Sequence, residues 1–211
     1  MLVPARTSNL RFSRTEIEHL IVGTALVTAA GLSFVRQFFQ NGPASSYLPL
    51  AIATIIFAMG FILHELSHKY VAQRYGLWAE FRVNTMGVLL TAISIVSPFI
   101  KFIAPGAVVI SGFADRDRMG LTALAGPLVN VIITIALLAA LPAISPASIL
   151  YLPLVAGAAI NAFLALFNLI PFSIFDGKKI YSWNRTFWAI MVVVSLVLTV
   201  YTLSLEASSG L

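Results

Sequence analysis

Long apolar runs separated by short charged clusters dominate this chain of 211 residues. The four longest runs without Asp, Glu, Lys or Arg are residues 37–63, 83–100, 119–175 and 186–205. A membrane-spanning helix needs about 20 consecutive apolar residues, so runs of this length indicate membrane spans. The third run is too long for one span, and prolines mark a turn within it at 142, 146 and 153. The pattern predicts spans at about 17–38, 48–72, 119–141, 149–171 and 185–205.

The composition supports a membrane protein and excludes two other classes. Apolar residues make up 59% of the chain and charged residues 10%, against about 45–50% and 25% in soluble domains. So few charges exclude both a soluble globule and a disordered chain. The chain has no cysteine, which excludes disulfides, thiolate metal ligands and cysteine nucleophiles. We therefore expect one integral membrane domain over 1–211, with no PDZ or CBS domain.

The net charge of +5 would suggest nucleic acid as a partner in a soluble protein, but here it serves as an orientation signal. The segment 83–113 decides the orientation, because it just qualifies as a span by length. If it does not cross, 12 of the 13 Lys and Arg residues share the side of the N-terminus, with Arg36 opposite. If it crosses, the split is six against seven. The positive-inside rule favours the first arrangement, with a cytoplasmic N-terminus. Because the basic residues lie in loops between apolar runs, we expect no nucleic-acid partner.

Segment 83–113 also differs in local character from the spans. Glycines and prolines interrupt it, Lys101 lies within it, and the runs VLLTAISIV and AVVIS favour strands over helix. We therefore predict an all-α polytopic membrane protein with about five transmembrane helices. A small membrane-dipping β element at about 83–113 lies between spans two and three.

Span two contains the sequence His64-Glu65-Leu66-Ser67-His68. Residues four apart lie on one helix face, so both imidazoles can reach one metal ion with Glu65 beside them as a general base. Ionisable residues inside a span are costly and indicate a functional site. The alternative is a pair of interfacial histidines that extend from a helix end, with Glu65 paired to Lys69.

A catalytic zinc site usually has three protein ligands and an open position. The chain has no cysteine, and its third histidine, His19, lies at the start of span one. A carboxylate is therefore favoured as the third ligand. Asp176 follows 57 uncharged residues, with Pro171 before it to end the helix and Gly177 after it to permit a turn. The alternative for Asp176 is a loop acid paired with a neighbouring lysine, Lys178 or Lys179.

The predicted depths of the two motifs agree. Counting 1.5 Å per residue from Leu48 places His64 about 24 Å into a core about 30 Å thick, near the cytosolic boundary. Span four runs in the same direction and ends at that boundary, which brings Asp176 to the same depth.

Together, His64-Glu65-x-x-His68 and Asn168-x-x-Pro171-x-x-x-x-Asp176-Gly177 resemble the site-2 protease family of intramembrane zinc metalloproteases. The resemblance covers roughly residues 48–178 and implies a catalytic core of three helices. It implies one Zn²⁺ per chain, held by His64, His68 and Asp176, with Glu65 as the general base. Phe175 replaces the family's usual leucine, and Ser173 and Ile174 replace prolines often found there.

A second part of the resemblance lies in span three, where Gly126 and Pro127 precede Asn130. The resemblance implies that the Asn130 amide faces the site and holds the substrate backbone or the developing oxyanion. The alternative is a hydrogen bond between helices, which polar residues in membrane bundles commonly make.

The resemblance implies hydrolysis of peptide bonds in or near transmembrane segments of membrane-protein substrates, within the lipid bilayer. The site then lies near the cytosolic face, and an edge strand in 83–113 can hold an unwound substrate by β-augmentation. The alternative function is a metal-ion transporter or sensor that uses the same residues as a metal site.

Overall fold

The computed structural model describes residues 10–35, 47–97, 103–172 and 175–208, which form seven α-helices and two β-strands. The elements in chain order are α1 (Arg14–Val35), α2 (Tyr47–Arg74), β1 (Trp78–Val83), α3 (Thr85–Val96), β2 (Gly106–Ser111), α4 (Arg116–Ala140), α5 (Tyr151–Asn168), α6 (Asp176–Trp183) and α7 (Arg185–Ser208). Four residues named above lie outside the described ranges, namely Arg36, Lys101, Ser173 and Ile174, as does Arg6, one of the basic residues counted on the N-terminal side.

Four helices in the described ranges are long and apolar enough to cross a membrane: α2, α4 with the short turn after it, α5 and α7. The chain is thus a helical polytopic membrane protein, as predicted. Helix α1, predicted as a fifth span, is not among the four, and it begins with Arg14, Glu16 and Glu18. Its crossing stays a prediction. Helix α5 ends at Asn168, three residues before Pro171, because proline cannot continue the hydrogen-bonding pattern.

The segment between α2 and α4 is a strand, a helix and a strand. The strands pair antiparallel, with Phe81 opposite Val108 and Val83 opposite Gly106. The predicted strand at AVVIS is confirmed in β2, but the strand predicted for VLLTAISIV is wrong, because those residues form α3. Asn84 caps this helix by accepting a hydrogen bond from Gly87 N, so local capping outweighs the β-propensity of the isoleucines and valines.

Side chains of α1 cover the outer edge of β1. The Phe81 N–H donates to Glu16 Oε1 at 3.0 Å, and the Val83 N–H donates to His19 Nδ1 at 3.3 Å. Glu16 also forms an ion pair with Lys69 of α2, and both side chains are fully buried. Lys69 therefore pairs with Glu16 and not with Glu65, and this contact ties α1, the sheet and α2 together.

Helices α2 and α4 pack as antiparallel neighbours, since Thr122 lies beside His68 and Asn130 beside Gly60. The chain from 75 to 115 therefore begins and ends at the same end of the bundle, as the non-crossing interpretation of 83–113 requires. Helix α5 packs against both α2 and α4, and α7 packs against α5. Phe57 of α2 and Ile160 of α5 lie in the shared core.

Candidate metal centre

Helix α2 and the first residue of α6 bring three potential metal ligands together. The Nε2 atoms of His64 and His68 lie 3.1 Å apart. Asp176 Oδ2 lies 3.3 Å from the first of these atoms and 3.0 Å from the second. Both histidines are buried, and the three residues form a group that could hold one metal ion. The sequence analysis assigned these three residues to one metal site, and in the structure their potential ligand atoms lie 3.0–3.3 Å apart.

The other ring nitrogen of each histidine is anchored on α4. His64 Nδ1 lies 2.6 Å from Asn130 Oδ1, and His68 Nδ1 lies 2.7 Å from the carbonyl oxygen of Thr122. Carbonyl oxygens only accept hydrogen bonds, so each Nδ1 carries the proton and each Nε2 presents a lone pair. Metal-binding histidines are held in this way by their outer hydrogen bonds.

The donor set fits a zinc ion. Burial raises the pKa of the Asp176 carboxyl, but when the imidazoles are protonated the charge of His68 and hydrogen bonds from both rings outweigh it and hold that pKa well below its usual range. A metal cation in place of those protons acts in the same direction and keeps Asp176 a carboxylate. Two imidazole lone pairs and a carboxylate oxygen repel one another at these distances unless a cation lies among them. Two nitrogens and one oxygen, with room for a fourth ligand, suit catalytic Zn²⁺.

Gly126 leaves space beside these atoms. A Cβ atom at this position would lie 2.6 Å from His64 Nε2 and closer still to His68 Nε2. Pro127 follows within α4 and is buried. A side chain at 126 would thus enter the volume between the ligands, which explains why a glycine occurs there.

The break between α5 and α6 positions the third ligand. A Cβ atom at Gly177 would lie 2.6 Å from Ile170 O and closer still to Leu169 O, so only glycine lets α6 begin against the end of α5. Pro171 is exposed in this break. Lys179 Nζ lies 3.8 Å from Asp176 Oδ1, so the lysine pairing considered as an alternative coexists with the histidine contacts on the other oxygen.

Glu65 faces a cleft that adjoins the three ligands. Its side chain is 7% exposed, and its Oε2 accepts a hydrogen bond from Val108 N of β2 at 3.1 Å. The cleft has a volume of about 440 Å³ and is lined by α2, α3, β2 and the start of α6. Asn168 also lines it, and its Nδ2 donates to Leu164 O at 2.9 Å. The cleft therefore connects an acid beside the metal ligands with a strand edge.

The Asn130 side chain is fully buried and bonds to neighbouring helices. Its Nδ2 donates to Gly60 O at 3.3 Å and to Asn161 Oδ1 at 2.9 Å, while its Oδ1 contacts His64. Both amide N–H bonds are therefore occupied, as the alternative interpretation of a helix–helix hydrogen bond requires. The substrate or oxyanion role stays a prediction, and it requires one of these bonds to break.

Two residues that shape the site were missed in the sequence. Thr122 acts through its backbone carbonyl, so its side chain carries no signal of this role. Asn161 is a fully buried amide within an otherwise apolar span, and polar residues in such positions commonly bond between helices. That rule, applied to span four, would have singled out Asn161.

Comparison with known proteins gives one clear relative. The chain is 38% identical over 185 residues to a protein of Methanocaldococcus jannaschii named "putative zinc metalloprotease". The match covers 87% of this chain and 92% of the relative. No protein-family model and no solved structure matches the chain. With this identity over most of both lengths, the chain belongs to the zinc metalloprotease family of that archaeal protein.

Proposed function

We propose that this protein is an intramembrane metalloprotease of the site-2 type, which hydrolyses peptide bonds in or near transmembrane segments of other membrane proteins. The observation that carries the proposal is the buried Glu65 carboxylate beside three convergent metal ligands on a helix apolar enough to span a membrane. A substrate must therefore reach the site from within the bilayer or from its surface.

The residues of the site have separate roles in the proposed hydrolysis. Zinc, when bound, supplies a Lewis acid for the scissile carbonyl and lowers the pKa of a water molecule toward 7. Glu65 accepts a proton from the attacking water and delivers it to the leaving nitrogen. Val108 N–H holds one carboxylate oxygen of Glu65, so the other oxygen is the one available for this transfer. Asn130 and Thr122 keep the two imidazoles in the tautomer that binds metal.

The edge of β2 that faces away from β1 is suited to bind an extended substrate through the backbone groups other than Val108 N–H, which already holds Glu65. Successive residues of a strand direct their backbone groups to opposite edges, so Gly106, Val108 and Ile110 share the edge that faces Glu65. A transmembrane helix hides its carbonyls in internal hydrogen bonds and must unwind before hydrolysis. An unwound segment can pair with β2 by β-augmentation, which presents its carbonyls to the metal ligands.

The proposed orientation places the site near the cytosolic face. Arg74, Arg82, Arg116 and Arg118 lie at the end of the bundle where α2 ends and α4 begins. The positive-inside rule assigns this end to the cytoplasm, and the N-terminus with it.

The direct test is the substitution Glu65→Gln, which keeps the side-chain size and removes the base. The protein is reconstituted in liposomes with single-span model substrates, and cleavage is followed by mass spectrometry. We expect unchanged zinc content and a loss of cleavage of about 10²–10⁴-fold. Glu18→Gln, a change at an exposed acid of α1, is the matched control and should cleave normally. Full cleavage by Glu65→Gln would end the proposal.

The same liposomes test the alternative of a metal transporter. Within the described ranges only one group of His, Cys, Asp and Glu residues could hold a metal ion, whereas a transport path needs a series of such sites. Zinc uptake by the parent that persists in Glu65→Gln, without substrate cleavage by either protein, would favour transport.

A further inference from the structure

A continuous chain of buried hydrogen bonds runs from α5 through α4 to the metal ligand His64. The carbonyl of Gly157 accepts from Asn161 Nδ2 at 2.8 Å, and Asn161 Oδ1 accepts from Asn130 Nδ2 at 2.9 Å. Asn130 Oδ1 then lies 2.6 Å from His64 Nδ1. Both asparagine side chains are fully buried, so water cannot replace any of these bonds.

Two backbone carbonyls set the direction of the bonds in this chain: Gly157 O at the α5 end, at 2.8 Å, and Gly60 O of α2, through a longer contact of 3.3 Å with Asn130 Nδ2. The oxygen and nitrogen of a carboxamide have similar size, so an amide can turn over unless its partners fix it. The backbone carbonyl of Gly157 only accepts, which forces Asn161 to present Nδ2 to it and Oδ1 to Asn130. Asn130 must then present Nδ2 to Asn161 and Oδ1 to His64, and Gly60 O accepts its second N–H.

We propose that Asn161 is a positioning residue that acts through Asn130 to fix the tautomer of His64 and so the metal affinity of the site. The inference rests on metal binding by His64, His68 and Asp176, and it does not require that the protein be a protease. If the Asn130 amide turns over, it presents an N–H to His64 Nδ1. The imidazole then carries its proton on Nε2, which removes the lone pair that a metal needs.

The packing of α2 makes room for this arrangement. A Cβ atom at Gly60 would lie 3.0 Å from Asn161 Cγ and 3.1 Å from its Nδ2, and closer still to its Oδ1. The absence of a side chain at Gly60 thus lets the Asn161 amide lie between α2 and α4. Thr134, one turn along α4, donates to the backbone carbonyls of Asn130 at 3.0 Å and of Ala158 of α5 at 3.2 Å, and to neither side-chain amide. It offers a buried hydrogen bond between the same two helices for comparison.

The test measures zinc affinity of the full chain in detergent by competition with a chromophoric chelator. Asn161→Ser keeps a donor for the carbonyl of Gly157 four residues earlier. It removes the nearer acceptor of Asn130 Nδ2 and leaves only the longer contact with Gly60 O. Asn161→Leu removes both bonds. We expect zinc affinity to fall about 10–100-fold in both variants, the usual effect of losing an outer hydrogen bond to a ligand. The protonated carboxyl of Asn161→Asp, which burial favours, preserves both bonds and should keep the affinity within about threefold of the parent.

A second measurement reports the tautomer directly, without zinc. Nitrogen-15 shifts of the His64 ring in the metal-free protein, recorded at a pH high enough for the ring to be neutral, should show the Nδ1–H tautomer alone in the parent and a mixture in Asn161→Ser. Thr134→Val should lower stability but leave the tautomer and the zinc affinity unchanged. Parental affinity and a single tautomer in Asn161→Ser, or an equal loss of affinity in Thr134→Val, would overturn the inference.

The outcomes also separate this inference from the proposed function. A parent that binds zinc but cleaves no membrane substrate would refute proteolysis and leave the role of Asn161 intact. A parent that cleaves substrate while its zinc affinity is independent of Asn161 would refute the positioning role alone.

Discussion

The substitution Gly126→Ala tests the geometry of the metal centre with a single methyl group. The added carbon would lie 2.6 Å from His64 Nε2, whereas ordinary contact between such atoms needs about 3.5 Å. It would lie closer still to His68 Nε2. Neither imidazole can withdraw easily, because both are anchored through Nδ1 to α4, the same helix that carries residue 126.

The expected magnitude follows from this geometry. Overpacking by one methyl costs about 1–3 kcal/mol of stability when the surroundings must shift. Structural zinc sites bind with about 10–16 kcal/mol through four ligands, which is roughly 2.5–4 kcal/mol per ligand. Displacement of one imidazole from the ion should therefore weaken zinc binding by about 10²–10³-fold.

The assay is the zinc dissociation constant, measured by chelator competition, together with thermal unfolding with and without zinc. Gly31→Ala is the matched control, because a Cβ atom there would clash with the Phe57 ring of α2, and neither residue is a ligand. This control should lose stability at unchanged zinc affinity. Parental zinc affinity in Gly126→Ala, or an equal loss in Gly31→Ala, would refute the reasoning.

Two further substitutions probe the third ligand and the buried ion pair. Asp176→Asn replaces a charged ligand oxygen with a neutral amide, so zinc content after dialysis, measured by atomic absorption, should fall well below one ion per chain. Unchanged content would remove Asp176 from the ligand set. Lys69→Met leaves the buried Glu16 carboxylate without its cation and should lower the free energy of unfolding by about 3–5 kcal/mol. Adding Glu16→Gln should recover much of that loss in thermal unfolding, and a cost of less than about 1 kcal/mol for the single change would contradict this account.

The sequence predicted best what depends on spacing along one helix. Charge-free runs located the membrane helices, and the four-residue interval between His64 and His68 placed both imidazoles on one face. Asp176 was found because a carboxylate after a long apolar run is costly unless it has a partner. Each of these inferences depends on local pattern and on the cost of burying charge.

Features that depend on tertiary contacts were missed. The residues 88–96 form a helix where their composition favours a strand, because the cap at Asn84 and packing against α1 decide the outcome. The pairing of Lys69 with Glu16 joins residues 53 positions apart and competes with a local partner at Glu65. His68 Nδ1 bonds to the backbone carbonyl of Thr122. Every residue has such a carbonyl, so the sequence does not indicate which residue accepts this hydrogen bond.

The order of the ligands along the chain affects when the centre forms during synthesis. Asp176 follows His68 by 108 residues, and α4 and α5 lie between them. A nascent chain whose second half is still in the ribosome holds the ligands His64 and His68 but not Asp176, and such a pair binds zinc weakly. Tight metal uptake therefore waits until α5 has inserted and the break after it has folded back, which delays the chemistry until the helices are assembled.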